Sequence, residues 1–555
     1  VPSLSTLDWL VIAAYFTALL GLVLAVTRRQ QTSTDYFLAG RNVGFFAIGA
    51  SIFASNIGSE HIVGLAGQGA STGLAMAHYE LHAWIVVLLA WVFVPFYYQA
   101  GVFTMPEFLE RRFGPKPRWI LSLVSLAAYV LTKVSVTVYA GAIIFSTLLP
   151  DTFGSPEAAF WVGAVATVLL TGLYTVAGGL RAVLYTDAAQ ALVLLIGSGA
   201  ITWFGLQQLG GWGELQAFAA SNVADYALWR PLSDPEFPWL GILIASPIVG
   251  IWYWCTDQYI VQRTLAAKNL TEARRGALWG AFLKVWPVFI FLVPGLIGAA
   301  LNARGLLQIP LDAAGNPVGD QVFPTLVVSL LPAGLRGLVV AGLLAALMSS
   351  LSSLFNSTAT LFTVDIYEKL RPNAPQRQIV RVGRYATGVV IVLGLIWIPI
   401  MPAVSEGGLY QYLQNVQSYL APPITAVFLL GIFNQRVNAR GAVWGMGLGF
   451  ALGMAKLGLQ AVFGAGKIEN PALLAMIADL NFLYFSGLLF LICVAVIIVF
   501  SRGEAAPAPE QLRGLTLAHM DREAVRASWD QKDIIATAVV LGLVAAIYLY
   551  FSFWI

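Results

Sequence analysis

Charge is what this chain has least of. Asp, Glu, Lys and Arg together make up 11% of its 555 residues, against about 25% in a typical soluble domain, which excludes an ordinary water-soluble globule. The net charge of +3 is too small to mark a nucleic-acid binder. There are only two cysteines, Cys255 and Cys493, both in apolar segments. Such thiols are expected as inert core groups rather than as a disulfide. With four histidines and no Cys/His spacing, no zinc-type cluster is expected. No cleavable signal peptide is evident. No block of like charges and no low-complexity tail occurs, and no loop is long enough for an attached kinase or nuclease domain.

What the chain has instead is apolar length: 58% hydrophobic residues and a mean hydropathy of +0.77. Fourteen apolar spans are read at 6–27, 44–71, 78–100, 118–149, 157–176, 184–208, 237–262, 276–302, 334–366, 382–402, 408–433, 438–462, 474–500 and 533–553, each long enough to cross a bilayer. We number them helix 0 to helix 13. Placing both termini outside puts 24 of the 31 Lys and Arg on the cytoplasmic side, four outside and three within spans (Lys133, Lys284 and Lys456). That asymmetry follows the positive-inside rule. The fold expected is an all-α polytopic membrane protein in the plasma (inner) membrane.

Two spans are interrupted. The stretch Ala54–Trp84 is rich in Gly, Ser and Asn and carries Glu60, His61 and Glu80, with a break expected at 56–59. Helix 6 carries IASPIVGIWYWCTDQ, with Pro247, Gly250 and Asp257 in an aromatic run, and a break expected at 247–257. Unwound backbone at membrane depth is tolerated only where protein covers it or where it lines a cavity. The two breaks lie five spans apart, so their helices enter the membrane in opposite senses, as in inverted repeats with a midplane site. A pair of ordinary kinks in a structural bundle is the alternative.

Charges inside spans cost about 2.5–3.5 kcal/mol each at the helix centre on insertion scales, so Glu80, Asp187 and Lys284 must gain something there. Lys284 either snorkels to the cytoplasmic interface or donates to ligand oxygens. Glu80 either sits in interfacial water or accepts from a hydroxyl-rich ligand. His61 suits either a ligand or a helix–helix hydrogen bond. Asp187 either attracts a cation or pairs with Arg181. On helix 8, AALMSSLSSLFNSTAT places Ser349, Ser352, Ser353 and Asn356 on one face. Their hydroxyls suit an alkali cation, or else act as polar glue between helices. Tyr79, Trp252, Tyr253, Trp254 and Tyr410 crowd the breaks. A stacking surface beside converging polar groups is what a polar small-molecule pocket needs.

SNIGSEHIVGLAG, MPEFLERRFG, GGLRAVLYTD, WYWCTDQYIVQRTLAAKN, SSLSSLFNSTATLFTVDIY and SYLAPPITAVFLLGIF, with GIFNQRVNARGAVWG after helix 10, resemble the sodium:solute symporters, specifically the sodium/glucose cotransporters. The likeness covers helices 0 to 11 in order; beyond about residue 465 only hydrophobic spans match. The resemblance implies a LeuT-type core of two inverted five-helix repeats, 44–208 (helices 1–5) and 237–433 (helices 6–10), joined by an external loop at 209–236. Helix 0 and its loop occupy 1–43, and peripheral helices 11–13 occupy 434–555 with a cytoplasmic loop at 501–532. It implies that Asn56, His61, Glu80, Lys284 and Gln414 bind sugar hydroxyls, that Tyr253 stacks under the ring as inner gate with Trp254 beside it, and that Leu65, Tyr79 and Tyr410 form the outer gate. A first sodium would take the carbonyls of Ala54, Ile57 and Ala346 and the hydroxyls of Ser349 and Ser350. A second, present only in some members, would use Asp187, Ser349, Ser352 and Ser353.

There are departures. A helix 6 asparagine of the bacterial galactose member is Gly250 here, a helix 2 serine is Ala83, and a glutamine is His61, as in the animal glucose carriers. No external Asn-x-Ser/Thr sequon is present, which favours a bacterial source. The function expected is sodium-coupled symport of a glucose- or galactose-like hexose by alternating access, with two sodium ions per sugar as co-transported ions. Its partners would be the sugar, sodium and membrane lipid, with no nucleic acid. The alternatives are a sodium symporter for inositol, a sialic acid or a non-sugar solute, and a membrane receptor or enzyme. A hydrolase would need a nucleophile–base pair, for which His61 with Ser59 is the one candidate.

Overall fold

The computed structural model describes residues 4–27, 32–58, 60–149, 153–311, 315, 317–400, 409–463 and 476–555. Among these, all regular structure is helical apart from three isolated bridges. Among the described residues eleven helices are continuous, long and apolar enough to cross a membrane, fewer than the fourteen spans expected. The difference has a physical cause. Expected helices 4 and 5 run on without a loop as the stretch Pro156–Leu209, two helices that meet at a kink at Gly179 (φ 54°, ψ −155°), where a Cβ would come 2.5 Å from the carbonyl oxygen of Tyr36. Expected helices 1 and 3 are each broken into shorter pieces. Helix 3 runs as Pro115–Ala128 and Ser135–Leu148 around a wide turn at Tyr129–Val134.

Helix 1 runs from Phe45 to Asn56 and stops at Ile57 (φ −81°, ψ 81°). It resumes through a wide turn, Glu60–Leu65, into Ala66–Thr72. Gly73 (φ +61°) then turns the chain hard against Tyr226, whose Cα would lie 2.3 Å from a Cβ; only glycine meets both demands. Helix 6 opens in the second half of the expected 247–257 range. Pro247 and Gly250 lie inside Trp239–Ile251. The helix widens at Trp252–Thr256 and opens at Asp257 (φ −84°, ψ 129°) before Gln258–Leu265.

Helices 7 and 8 form the centre. Buried residues make up 83% of the apolar window in Leu270–Ala303 and 89% in Leu335–Leu370, against 17% in helix 0 (Thr6–Val26) and 22% in helix 13 (Gln531–Ser552), which places helices 0 and 13 at the lipid boundary. Helices 1 and 7 touch backbone to backbone. A Cβ on Gly49 would meet Gly276 O at 2.5 Å, and one on Gly295 would meet Ala66 O at 1.9 Å. Small residues permit such contact where lipid tails, as apolar as leucine, give no hydrophobic drive to helix association.

Candidate functional site

The interruptions bring polar side chains from five helices around one hollow of about 480 Å³. Helix 1 supplies Asn56 and His61, helix 2 Tyr79, Glu80 and His82, helix 6 Tyr253 and Trp254, helix 7 Lys284 and helix 10 Gln414. Glu80 and Lys284 are each 1% exposed, so neither snorkels to water. Lys284 Nζ donates to Glu80 Oε2 at 2.5 Å, while His61 Nε2 lies 3.5 Å from Glu80 Oε1. The ammonium also stands 5.6 Å from the Trp254 ring centre. A buried carboxylate and ammonium offset each other's charge, leaving a polar chamber without net charge from that pair. Asn56 Nδ2 donates to Tyr253 OH at 3.3 Å. Asn56 Oδ1, Tyr79 OH and Gln414 Oε1 are buried and find no hydrogen-bond partner among the described residues. Buried polar atoms are normally satisfied, so these three await a polar ligand.

A second hollow of about 290 Å³ is lined by Lys133, Thr137, Tyr259 and Leu354, and shares Tyr253, Leu413 and Gln417 with the first. Tyr253 thus stands in the partition between them. Lys133 Nζ donates to Asp257 Oδ2 at 2.6 Å and lies 4.9–5.1 Å from the ring centres of Tyr129, Trp252, Tyr253 and Tyr259. Trp252 and Trp254 are buried, so the aromatic run is not an interfacial belt.

Oxygen donors gather where helix 1 stops. Gly58 N–H turns to Asn56 O, away from Ala54 O, and His61 N–H goes to Gly58 O, away from Ile57 O. The two carbonyls expected to hold the first sodium are therefore released from the helical ladder. Ser350 Oγ donates to Ser55 O at 3.4 Å, and Ser55 Oγ lies 2.9 Å from Ser353 Oγ, so helix 8 closes directly onto the break. Backbone carbonyls and hydroxyls are the hard oxygen ligands that alkali cations take, and the set fits sodium.

Asp187, fully buried, accepts from Ser51 Oγ (2.6 Å), Ser55 Oγ (3.0 Å) and Ser349 Oγ (2.7 Å). Its cationic neighbour is Arg263, not Arg181. Arg263 Nη2 stands 3.9 Å from Asp187 Oδ2, and its Nε donates to Ser51 Oγ and Ser55 Oγ at 3.0 and 2.9 Å. It also donates to Tyr259 O and Ser353 Oγ. Arg263, one residue beyond the expected end of helix 6 at 262, is buried in the core. Ser352 Oγ and Ser353 Oγ both donate back to Ser349 O, at 2.9 and 2.8 Å.

The structure thus gathers Asn56, His61, Tyr79, Glu80, Tyr253, Trp254, Lys284 and Gln414 at one chamber. Leu65 is buried but is not among the chamber's lining residues. The side chain of Tyr410, and Ser59, lie outside the described residues. Ala346, Ser349 and Ser350 are buried on helix 8. Sequence reasoning missed His82, Gln417 and Arg263. A polar residue two positions after Glu80, within the same Gly/Ser-rich break, was the available signal for His82. Cys255 and Cys493 are buried and unpaired, as expected.

Discontinuous helices that enclose a polar chamber beside serine hydroxyls and backbone carbonyls released from the helical ladder are the arrangement of a secondary transporter. The chain belongs to the sodium:solute symporter family, whose model matches residues 36–449. It is 38% identical to the sodium/glucose cotransporter 2 of Rattus norvegicus over 95% of this chain and 83% of that protein. It is 39% identical to the sodium/myo-inositol cotransporter 2 of Sus scrofa over 93% and 79% respectively. Among solved structures, a Na+-coupled sialic acid symporter in a substrate-bound outward-open state superposes with a TM-score of 0.74 at 23% identity, covering 90% of this chain and 99% of that one. The fold is of the LeuT type. The protein is a multi-pass membrane symporter that couples a solute to sodium, and a transporter rather than an enzyme.

Proposed function

We propose that the chamber carries a neutral monosaccharide of the glucose/galactose class into the cell. The observation that carries this reading is the composition of the chamber: donors and acceptors from helices 1, 2, 7 and 10 surround an aromatic wall of Tyr253 and Trp254, and the Lys284–Glu80 pair cancels its own charge. Sugar C–H faces pack on aromatic planes while hydroxyls take the polar ring. A cyclitol presents the same equator of hydroxyls, and a myo-inositol cotransporter is as similar to this chain as a glucose one, so myo-inositol is the second reading. Asn56, His61, Glu80, Lys284 and Gln414 bind hydroxyls. Tyr253, with Trp254 beside it, is the inner gate, and Leu65, Tyr79 and Tyr410 are the outer one.

A first sodium bridges helices 1 and 8 through Ala54, Ile57, Ala346, Ser349 and Ser350. A second uses Asp187 with Ser349, Ser352 and Ser353, and to admit it the Arg263 guanidinium must withdraw, since two cations cannot share one buried carboxylate cheaply. Residues 44–208 and 237–433 act as inverted repeats that rock about the chamber, in a plasma membrane with both termini outside. One sodium contributes about 2.3 kcal/mol from a 100 mV potential and about 1.4 kcal/mol from a tenfold gradient. Two therefore support a sugar gradient on the order of 10⁵-fold.

The test is uptake into proteoliposomes of labelled D-glucose, D-galactose, myo-inositol and sialic acid, with and without an inward sodium gradient. Uptake of a hexose driven by sodium is expected. Sodium-driven uptake confined to sialic acid, or uptake indifferent to sodium, would refute the proposal.

A further inference from the structure

His82 belongs to the chamber, yet no reading so far gives it a role. It sits in the short turn between Ala77–Glu80 and Ala83–Leu88, where Leu81 (φ −80°, ψ 15°) and His82 (φ −63°, ψ 6°) leave helical geometry. That turn aims the imidazole sideways toward helix 6. The residue is 4% exposed. Nε2 lies 2.6 Å from Ser246 Oγ, and the ring stands 5.5 Å from the ring centre of Tyr79.

The Cε1–Nδ1 edge of the ring lies over Gly250. A Cβ at that position would come 3.0 Å from His82 Nδ1, 3.0 Å from Cε1 and 2.3 Å from Ile85 Cδ1. The bare backbone at 250 therefore gives the imidazole its place in the chamber wall, and His82, Gly250 and Val249 line the hollow together. Ser246 is the ring's one protein hydrogen-bond partner among the described residues. Nδ1 is thus left for whatever fills the hollow.

We propose that His82 is a further substrate contact that sets specificity: its Nδ1 hydrogen-bonds one ring hydroxyl of a neutral polyol, on the wall formed by helices 2 and 6. This rests on the sugar reading and deepens it. The Ser246 bond fixes the plane of the ring and links its two nitrogens. If Nε2–H donates to Ser246, Nδ1 accepts from the ligand; if the serine hydroxyl donates to Nε2, Nδ1–H donates to it. A hydroxyl satisfies either case because it both donates and accepts. A deoxy position satisfies neither. Ser246 is a positioning residue, because it acts through His82.

The experiment uses the full chain in proteoliposomes, with D-glucose, D-galactose and their 2-, 3-, 4- and 6-monodeoxy analogues as competitors of labelled hexose in sodium. In the wild type, deleting the hydroxyl that faces His82 raises the inhibition constant about 3- to 10-fold, the range of one neutral hydrogen bond. In His82→Leu that penalty disappears at one position and persists at the others. Ser246→Ala shrinks the same penalty at the same position, and His82→Gln, which keeps a donor and an acceptor, retains part of it. His82→Gln also serves as the readout should the leucine variant fail to insert. A uniform loss for all analogues, or an unchanged pattern in the variants, shows a merely structural link between helices 2 and 6 and overturns the proposal. Absence of sodium-driven hexose uptake in the wild type itself overturns the sugar reading, and this proposal with it.

Discussion

Glu80→Gln tests the charge balance of the chamber most directly. In the wild type, Lys284 Nζ and Glu80 Oε2 are 2.5 Å apart and both residues are 1% exposed. An entering carboxylate would meet Lys284 and Glu80 together and gain little from either. Replacing the glutamate with its neutral isostere leaves an unpaired ammonium facing the ligand. A unit charge about 4 Å from an ammonium, at an effective dielectric constant of about 20, gains roughly 4 kcal/mol. Desolvation of the incoming carboxylate offsets part of that. We therefore expect the preference for D-glucose over D-glucuronate, measured as a ratio of inhibition constants against labelled hexose in saturating sodium, to fall about 10- to 100-fold in the variant. Leaving one buried charge unpaired also destabilises the fold by about 3–5 kcal/mol. A ratio taken within one preparation is insensitive to that loss. Glu80→Gln combined with Lys284→Met removes both charges and should restore discrimination against glucuronate. An unchanged ratio in Glu80→Gln would refute the argument that mutual neutralisation excludes anionic sugars.

Three further outcomes follow from the geometry. Charge moved per sugar, measured as current against labelled uptake, should be two in the wild type and fall toward one in Asp187→Asn and in Ser352→Ala; a wild-type ratio near one, or an unchanged ratio in Ser352→Ala, would remove the second sodium. Arg263→Met leaves Asp187 without its cation and should cost about 3–5 kcal/mol, seen as a lower thermal midpoint in detergent that Asp187→Asn partly restores; no shift would show that the two groups are not coupled. Gly295→Ala forces a Cβ to within 1.9 Å of Ala66 O and should destabilise by about 1–3 kcal/mol or more, whereas Gly542→Ala, with nothing within 4 Å, should stay within about 0.5 kcal/mol; equal midpoints would contradict the close helix crossing.

Hydrophobic length and the asymmetry of Lys and Arg made the membrane class legible, because the bilayer imposes both on sequence directly. The break after Asn56 was legible because Asn-Ile-Gly-Ser is poor helix sequence in an apolar setting. The break in helix 6 lies within the expected 247–257, but the sequence did not resolve where in that range: Pro247 and Gly250 are accommodated within a helix and the chain opens at Asp257. Helices 4 and 5 were legible as two because Gly178-Gly179 and Arg181 interrupt the apolar run; the structure joins them without a loop, through a non-helical kink at Gly179. Of the chamber, the charged members stood out because each charge inside a span demands an explanation. Tertiary partnerships left no such trace. Nothing in the spacing shows that Arg263, 76 positions from Asp187, stands beside it, or that His82 fills the space over Gly250.

The glycine contacts at Gly49 and Gly295 clasp helix 7 to helix 1 on both sides of the break that follows Asn56. The two are thereby locked like a splint across a fracture, with the chamber residues Asn56 and His61 on one member and Lys284 on the other. Whatever motion exchanges the two faces of the membrane has to carry this clamped pair as one piece and find its play elsewhere, at the opened backbone of Asp257 or the bend at Gly179.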